Sequence, residues 1–456
     1  MKRTRKKTQF GKGLLLWIAL FSFTGVMGLA TLFYKERGPK KSPALKGLGK
    51  VAIKEKNGQF SIYKDNQPFL VKGGVGFTHI KELAECGGNT LTCWDTAALE
   101  NALREASLYH VYVIIGLDIP DGQNLEFYND KKNASALFNA YSGIVNKYRD
   151  HPAVLAYCLG NELTFPFTFT STSFYKTYDR LLAMINNIDP QHPVGTSTMN
   201  VATKNILNIR WRLPGLDFIC INTYNRIKTI GQDLDKIKLF WNGPYLVSEW
   251  SPDGGWEANN TTWGAPIENT STKRAEKFYE FYKNYMPLND PRFLGSVAFY
   301  WGSRVEYTYT WYSVFNDDGS PTEIKEVLNN CWTDTITTHQ SPLIQYMLID
   351  SLGANDNIIL SAGSTHKAAV LLQDHQPDDS LHYYWKVLEE DWQNWGKSWK
   401  NFKKPKPVAA LVPDSTLPAG NFTAPVKEGP YRIFVTVYNS KGYCATSNTP
   451  IYVVEK

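Results

Sequence analysis

Cysteine is sparse in this chain. Six of 456 residues are cysteine (Cys86, Cys93, Cys158, Cys220, Cys331, Cys444), and none sits in a CxxC pair. That spacing excludes zinc-ribbon and CxxC redox chemistry, while the even count leaves disulfides open with their pairing unreadable. Cys93, Cys158 and Cys220 fall within expected strands, where a thiol behaves as a small hydrophobe. Histidine is scarce too: eight residues form no HxH or HExxH pattern, so no metal site and no cofactor are expected. There is no internal repeat and no low-complexity tract, and with 43% apolar against 20% charged residues wholesale disorder is excluded.

Positive charge is lacking from most of the chain, although the formal net charge is +6. Residues 1–50 hold twelve Lys/Arg against one acid, Glu36, so that +6 less +11 leaves −5 for the rest. A mildly acidic body gives no reason to expect nucleic acid as a partner. Long apolar runs are lacking as well, with one exception. Leu14 to Tyr34 is 21 residues without a charge, behind the basic start MKRTRKK. That length suits a membrane-spanning helix, and it exceeds the apolar core of about 7–15 residues usual in a cleaved signal peptide, the rival reading. The expectation is a single-pass signal-anchor with the folded body outside the cytoplasm, in a periplasm or at the cell surface. Residues 35–50, basic and rich in Gly and Pro, read as a linker.

What is abundant is aromatic: 14% of residues, with 14 Trp. These supply either large cores or stacking platforms for flat apolar ligand faces.

From Gly58 the chain reads as a hairpin with Asp65-Asn66 in its turn, and then as eight short apolar strands. They are Phe69 to Val75, Asn89 to Trp94, Val111 to Leu117, Val154 to Leu159, Pro193 to Ser197, Phe218 to Asn222, Tyr245 to Ser248 and Gly295 to Trp301. Helical patterns alternate with them, clearest at Ala97 to Tyr109, Lys132 to Tyr148, Ser173 to Ile188 and Lys273 to Met286. Alternation of this kind implies a parallel sheet. Eight units over about 265 residues match a (β/α)8 barrel of about 250. After Trp332 the pattern changes. Leu343 to Leu352 is helix-like, and from Asn357 strands dominate. Arg432, Phe434, Thr436 and Tyr438 alternate with Ile433, Val435 and Val437, the period of a half-buried strand. The expected organisation is a tail and anchor at 1–34, a linker at 35–50, a barrel with its hairpin at 51–335 and a small β-sandwich at 340–456.

Two strand ends carry acids. HPAVLAYCLGNEL places Asn161 and Glu162 after the fourth strand, and YLVSEW places Glu249 at the seventh, 87 residues on. That is three units of 29, close to the roughly 30 residues of a βαβ unit. Barrels gather reacting groups at the C-terminal ends of their strands, and closure brings strands four and seven face to face. Two facing carboxylates are what glycoside hydrolysis uses.

With DNQPFLVKGGVGFTHI at the first strand, GGNTLTCWD at the second, INTYN at the sixth and FYWG at the eighth, residues 58–335 resemble the clan A retaining glycoside hydrolases. The closest resemblance is to the (β/α)8 catalytic domain of glycoside hydrolase family 2. It implies a membrane-tethered retaining β-glycosidase acting on a β-linked glycan. In that family's terms Glu162 is the acid/base and Glu249 the nucleophile. Asn161 binds the sugar 2-hydroxyl, Tyr224 orients the nucleophile, and Trp301 floors the subsite at the cleaved bond. His79, Trp250 and Asp118 are further substrate-binding candidates, and Asp95 could reshape the subsite. Trp256, Trp263 and Trp311 are candidate outer stacking sites. The sandwich resembles an immunoglobulin-like accessory domain. Thr92 departs from the pattern, standing where family members often carry an Arg beside the nucleophile. Two rival readings stand beside the hydrolase: a transglycosidase remodelling a β-glucan or exopolysaccharide with the same glutamates, and a catalytically silent carbohydrate-binding protein.

Overall fold

The structure is a computed structural model that describes residues 51–373, 380–390, 405–409 and 417–455. The expected anchor and linker lie outside the described residues, and among the described residues no helix is long and apolar enough to cross a membrane.

The first three strands, β1 (Val51–Lys56), β2 (Gln59–Lys64) and β3 (Gln67–Phe69), form a small antiparallel sheet. Its turns are Asn57-Gly58 (φ 55° and 80°) and Asp65-Asn66 (φ 48° and 66°). Both have the paired positive φ of type I′ hairpins, which Asn, Asp and Gly tolerate best. The Asn57-Gly58 turn adds a strand that the sequence reading had not separated. This sheet closes the N-terminal end of the barrel: Phe60 N–H donates to the Pro291 carbonyl at 2.7 Å, and Val51 and Ile62 pack against Val71 and Leu294.

The barrel follows, with strands β4 (Val71–Val75), β5 (Thr90–Cys93), β6 (Tyr112–Leu117), β7 (Val154–Leu159), β8 (Val194–Met199), β9 (Phe218–Thr223), β10 (Tyr245–Trp250) and β11 (Phe293–Ala298). All pair in parallel and β11 returns to β4, closing the sheet. Around it run α1 (Ile80–Glu85), α2 (Leu99–Leu108), α3 (Leu125–Asn129), α4 (Lys131–Tyr148), α5 (Ser173–Ile188), α6 (Thr203–Arg212), α7 (Ile230–Lys236), α8 (Ser271–Asn284) and α9 (Glu323–Thr333). Helix α5 shows why such segments form where they do. Thr172 caps it by accepting from the Tyr175 N–H, and Phe174, Tyr178, Leu181, Leu182 and Ile185 make one buried face.

Strand side chains alternate between two cores. Outward residues such as Val113, Ile115, Ile219 and Val247 pack under the helices; inward ones such as Ile114, Ala156, Cys220 and Leu246 fill the barrel. All six cysteines are buried free thiols, with Cys158 and Cys220 Sγ atoms 3.8 Å apart inside the barrel.

The C-terminal region is a sandwich of two sheets. One runs β12 (Ile344–Ile349), β14 (Thr365–Leu372), β17 (Ala419–Thr423). The other runs β13 (Ile359–Ser361), β19 (Cys444–Val454), β18 (Gly429–Asn439), β15 (Leu381–Glu389), β16 (Pro407–Ala409). Two expectations are corrected here. The helix-like stretch at 343–352 contains strand β12, paired with β14. A register irregularity between Ile344 and Tyr346 puts Ile344 and Met347, three apart, on the buried face, and so imitates helical spacing. Strand β18 is buried on both faces, not one. Ile433, Val435 and Val437 face the sandwich core, while the alternate residues Arg432 (1% exposed), Phe434 and Thr436 lie buried on the other face.

That second face packs on the barrel. Arg432 donates to Glu390 at 2.6 Å, to Asn448 Oδ1 at 2.7 Å and to the Pro266 carbonyl at 2.6 Å. Asn448 Nδ2 donates to Glu268, which also accepts from the hydroxyls of Thr308 and Thr310. The Tyr309 ring lies 4.6 Å from that of Phe434. Residues 304–311 are thus held between the barrel mouth and the sandwich.

Candidate active site

The C-terminal mouth of the barrel encloses a cavity of about 430 Å³, within the range typical of small-molecule sites. Glu162 and Glu249 both line it, with Asn161, Tyr224, Asp95, Asp118, Trp94 and Arg304 among their neighbours.

Two local devices aim the glutamates. After β7 the chain turns at Gly160 (φ 84°), where a Cβ would stand 2.3 Å from Leu163 Cδ1, and Glu162 itself is left-handed at φ 52°. That conformation costs a residue with a Cβ about 1–2 kcal/mol, the kind of local strain found at functional sites. On β10 the register with β9 slips between Val247 and Glu249, which pair with Ile221 and Asn222. The extra residue, Ser248, donates to Asn222 Oδ1 at 2.7 Å. The bulge re-aims the strand end, with Glu249 lining the cavity and Trp250 packed outward against Phe278 and Tyr282 of α8.

Asn222 ties the two strand ends together. Its amide donates to Glu162 Oε1 at 2.9 Å and to Asn161 Oδ1 at 3.1 Å while its oxygen accepts from Ser248. The Tyr224 hydroxyl lies 3.5 Å from Glu249 Oε2, a long contact, with the Trp256 ring edge-on at 4.9 Å from the Tyr224 ring. Trp256 is half-exposed, and Glu257 fixes its loop by accepting from the N–H groups of Gly254 and Asn225, so the indole forms a platform at the rim. Trp94 also lines the cavity. Its ring lies over Gly116, where a Cβ would come within 2.2 Å of Cε3.

Burial sets the electrostatics. Loss of water is the main force holding Glu249 well above the usual carboxyl range; the negative charge of Glu162 adds to it, and the Arg304 guanidinium opposes it. Glu162 is raised too, again by burial first, against the Asn222 hydrogen bond and with help from Glu306. Two carboxyls in one dry cavity ionise as a pair, so the first proton leaves far more readily than the second. Arg304 reaches the cavity from the loop after β11, its guanidinium over the rings of Phe299 and Tyr300 and its Nε donating to Glu306. Among the described residues no group of three metal-ligating side chains is placed to hold an ion.

The expected site residues divide cleanly. Glu162, Glu249, Asn161, Tyr224 and Asp118 meet in the cavity, as do Asp95 and Trp256. Trp301 does not. Strand β11 ends at Ala298, the cis-linked Phe299 and Tyr300 take the cavity-lining positions, and Trp301 turns into the outer core. There it packs on Phe315 and Trp332 and donates Nε1 to the His79 carbonyl. Trp250 is likewise a core residue, for the reason the bulge gives. His79 stacks face to face on Phe315 at 3.9 Å, outside the cavity, with Glu82 as its charged neighbour. Trp263 packs by Tyr452, and Trp311 donates to the Asp253 carbonyl, both away from the cavity lining. Sequence reasoning missed Trp94, Asn222, Arg304, Glu306 and the Phe299-Tyr300 pair. Asn222 stood in the quoted INTYN, whereas Arg304 and Glu306 sit in a loop with no pattern to find them by.

No family model matches the chain and no curated protein does. Solved structures with a similar fold include an endo-β-1,4-mannanase from Thermotoga petrophila (12% identity, TM-score 0.42, covering 85% of this chain and 98% of that one). Others are a β-glucuronidase from Bacteroides uniformis (10%, 0.47, 89% and 48%) and one from Dictyoglomus thermophilum (16%, 0.47, 62% and 54%). The chain spans about half the length of these two glucuronidases.

Proposed function

We propose that this chain is a clan A retaining β-glycosidase that cleaves O-glycosidic bonds of an oligo- or polysaccharide through a glycosyl-enzyme intermediate. The observation that carries this reading is the burial of Glu162 and Glu249 in one cavity at the C-terminal mouth of a closed barrel, their strand ends joined through Asn222. The pair holds one proton, and the reaction requires it on Glu162 when the sugar is attacked. Tyr224 and Arg304 both favour charge on Glu249, while Oε2 of Glu162 is the oxygen left to deliver the proton, and the Asn222 amide on Oε1 favours the ionised Glu162 that the second step needs.

Glu249 attacks the anomeric carbon as Glu162 protonates the departing oxygen. The ester formed on Glu249 is then hydrolysed by a water from which Glu162, now ionised, removes a proton. Asn161 and Asn222 supply polar contacts beside the reacting centre, and Trp256 offers the sugar an apolar face at the rim. Arg304 answers the departure at Thr92: the cation favouring an ionised nucleophile comes from the loop after the last strand instead of from β5. The apolar run 14–34 would tether this body to a membrane on its outer side.

The test is to incubate residues 51–456 with a fluorosugar that forms a slow-turnover glycosyl ester, then digest and weigh the peptides. The adduct is expected on the peptide containing Glu249. A labelled peptide lacking Glu249, or no labelling with any β-configured fluorosugar, overturns the assignment.

A further inference from the structure

Glu249 is held loosely for a group that must attack along one line. The Tyr224 hydroxyl reaches it at 3.5 Å, far beyond the roughly 2.5–2.7 Å of a strong bond from a hydroxyl to a carboxylate. Arg304 acts on it through charge. A further donor stands on β5. Thr92 and Trp94, the residue just past the strand, alternate with the outward Leu91 and Cys93, and both line the cavity. The Thr92 hydroxyl and the Trp94 indole nitrogen are buried, and neither has a hydrogen-bond partner. Such an open donor calls for an explanation, and in a catalytic cavity one explanation is a bond that closes only in the working state.

The Trp94 ring is fixed in place. Strands β5 and β6 pair Thr92 with Ile114 and Cys93 with Ile115, which sets Trp94 level with Gly116. Gly116 lets the indole lie across β6, since a Cβ there would stand 2.2 Å from Cε3 and 2.4 Å from Cδ2. From that pose the N–H is directed at Glu249. Burial comes first in raising the Glu249 carboxyl, and the charge of Glu162 adds to it; the Arg304 charge and the indole N–H both draw it back, the second as a hydrogen-bond donor does. The N–H nevertheless stops short of a formed bond.

Resting on the glycosidase reading above, we propose that Trp94 is a positioning residue for the nucleophile: its indole N–H closes on the Glu249 carboxylate and holds it in line for attack. A neutral donor thus does part of what the Arg expected at position 92 would do. The bond is charge-assisted while Glu249 is ionised and weakens once Glu249 becomes an ester.

The experiment places benzothienylalanine at position 94 of the full chain in detergent, keeping the two-ring shape and putting sulfur where the N–H stood. Trp94→Phe runs beside it. The acid limb of kcat/KM reports the free enzyme, and a donor to the carboxylate lowers its pKa. Loss of the N–H should therefore move that limb to higher pH by about one unit, a tenfold weaker acid. The ionisable neighbours Glu162, Arg304, Glu306, Tyr224, Asp95 and Asp118 are common to parent and variant, so the comparison isolates the N–H. A limb that stays put overturns the proposal, and a raised KM beside it would make the N–H a donor to the sugar instead. A second measurement needs no turnover. In isotope-labelled protein the Trp94 indole resonance, identified by its loss in Trp94→Phe, should move as Glu249 ionises and stay nearly fixed in Glu249→Gln. A resonance that does not move in the parent, or moves as far in Glu249→Gln, overturns the proposal. If no glycoside is cleaved, the glycosidase reading fails and this titration alone decides whether Trp94 bonds Glu249.

Discussion

Replacing Glu249 by glutamine should make the protein more stable as well as inactive, and the gain should grow with pH. The folded-state pKa of Glu249 lies well above its ordinary value, mainly through burial and then through the charge of Glu162. A carboxyl raised in this way is fully compatible with folding below its unfolded pKa of about 4.3, where both states hold the proton. As pH rises past that value the unfolded chain ionises first, and the folded state loses about 1.4 kcal/mol per pH unit until its own pKa is passed. Glutamine keeps the shape and never ionises, so the difference in stability opens upward from about pH 4.3 with that slope. At about 2.1 cal/mol/K per residue, the 378 described residues give about 0.8 kcal/mol/K, so each kcal/mol moves Tm by about 1 °C. Scanning both proteins calorimetrically from pH 4 to 9 should show coincident Tm values at the acid end and a variant several degrees higher at the alkaline end. A pH-independent offset, or a variant no more stable at pH 8 than at pH 4, would refute the claim that Glu249 is a strained buried acid.

Four other outcomes follow from the same geometry. Glu162→Ala should lower kcat by about 10²–10⁴-fold on substrates with poor leaving groups, and azide should restore turnover of activated aryl glycosides as a glycosyl azide detectable by mass. Trp250→Ala and Trp301→Ala should each cost about 3–5 kcal/mol in denaturant unfolding, while Trp250→Phe and Trp301→Phe keep KM near that of the parent, since neither ring meets the cavity. A paired Arg304→Gln/Glu306→Gln change removes the cation that favours ionised Glu249, so the acid limb of the kcat/KM profile should move to higher pH; a limb that stays put, or moves down, contradicts that role. Arg432→Met leaves the Glu390 carboxylate buried beside an apolar chain and should cost about 3–5 kcal/mol, read as a lowered midpoint in urea.

Much of this was legible in the chain because barrels are periodic. The equal spacing of short apolar strands and amphipathic helices gave the eight units, and a carboxylate at the end of the fourth and seventh put Glu162 and Glu249 in one place. Exceptions arose where a local irregularity broke the period. One inserted residue at Ser248 turned Trp250 away from the cavity and Glu249 into it, and a slip near Gln345 gave a strand the spacing of a helix. Trp301 was misplaced because the eighth strand was read through to it, whereas β11 stops three residues earlier at Ala298. Arg304 and Glu306 were invisible for a different reason. They belong to no repeating element, and only the packing of their loop against another sheet decides where they point. The burial of β18 on two faces was hidden likewise, because Arg432, Thr436 and Tyr438 read as solvent-facing until a second surface of polar groups is laid against them.

The seam between sandwich and barrel therefore bears on inheritance as much as on stability. Glu268, Thr308, Thr310 and Asn448 form one hydrogen-bonded knot, and from it the chain runs a few residues back to Arg304 and Glu306 at the cavity wall. A domain that merely trailed behind could be exchanged, lost or grafted between lineages without touching chemistry. Here the two regions share a wall of the cavity, so a swapped sandwich would arrive with the wrong mould for residues 304–311, and the two are expected to have travelled, and to have changed, together.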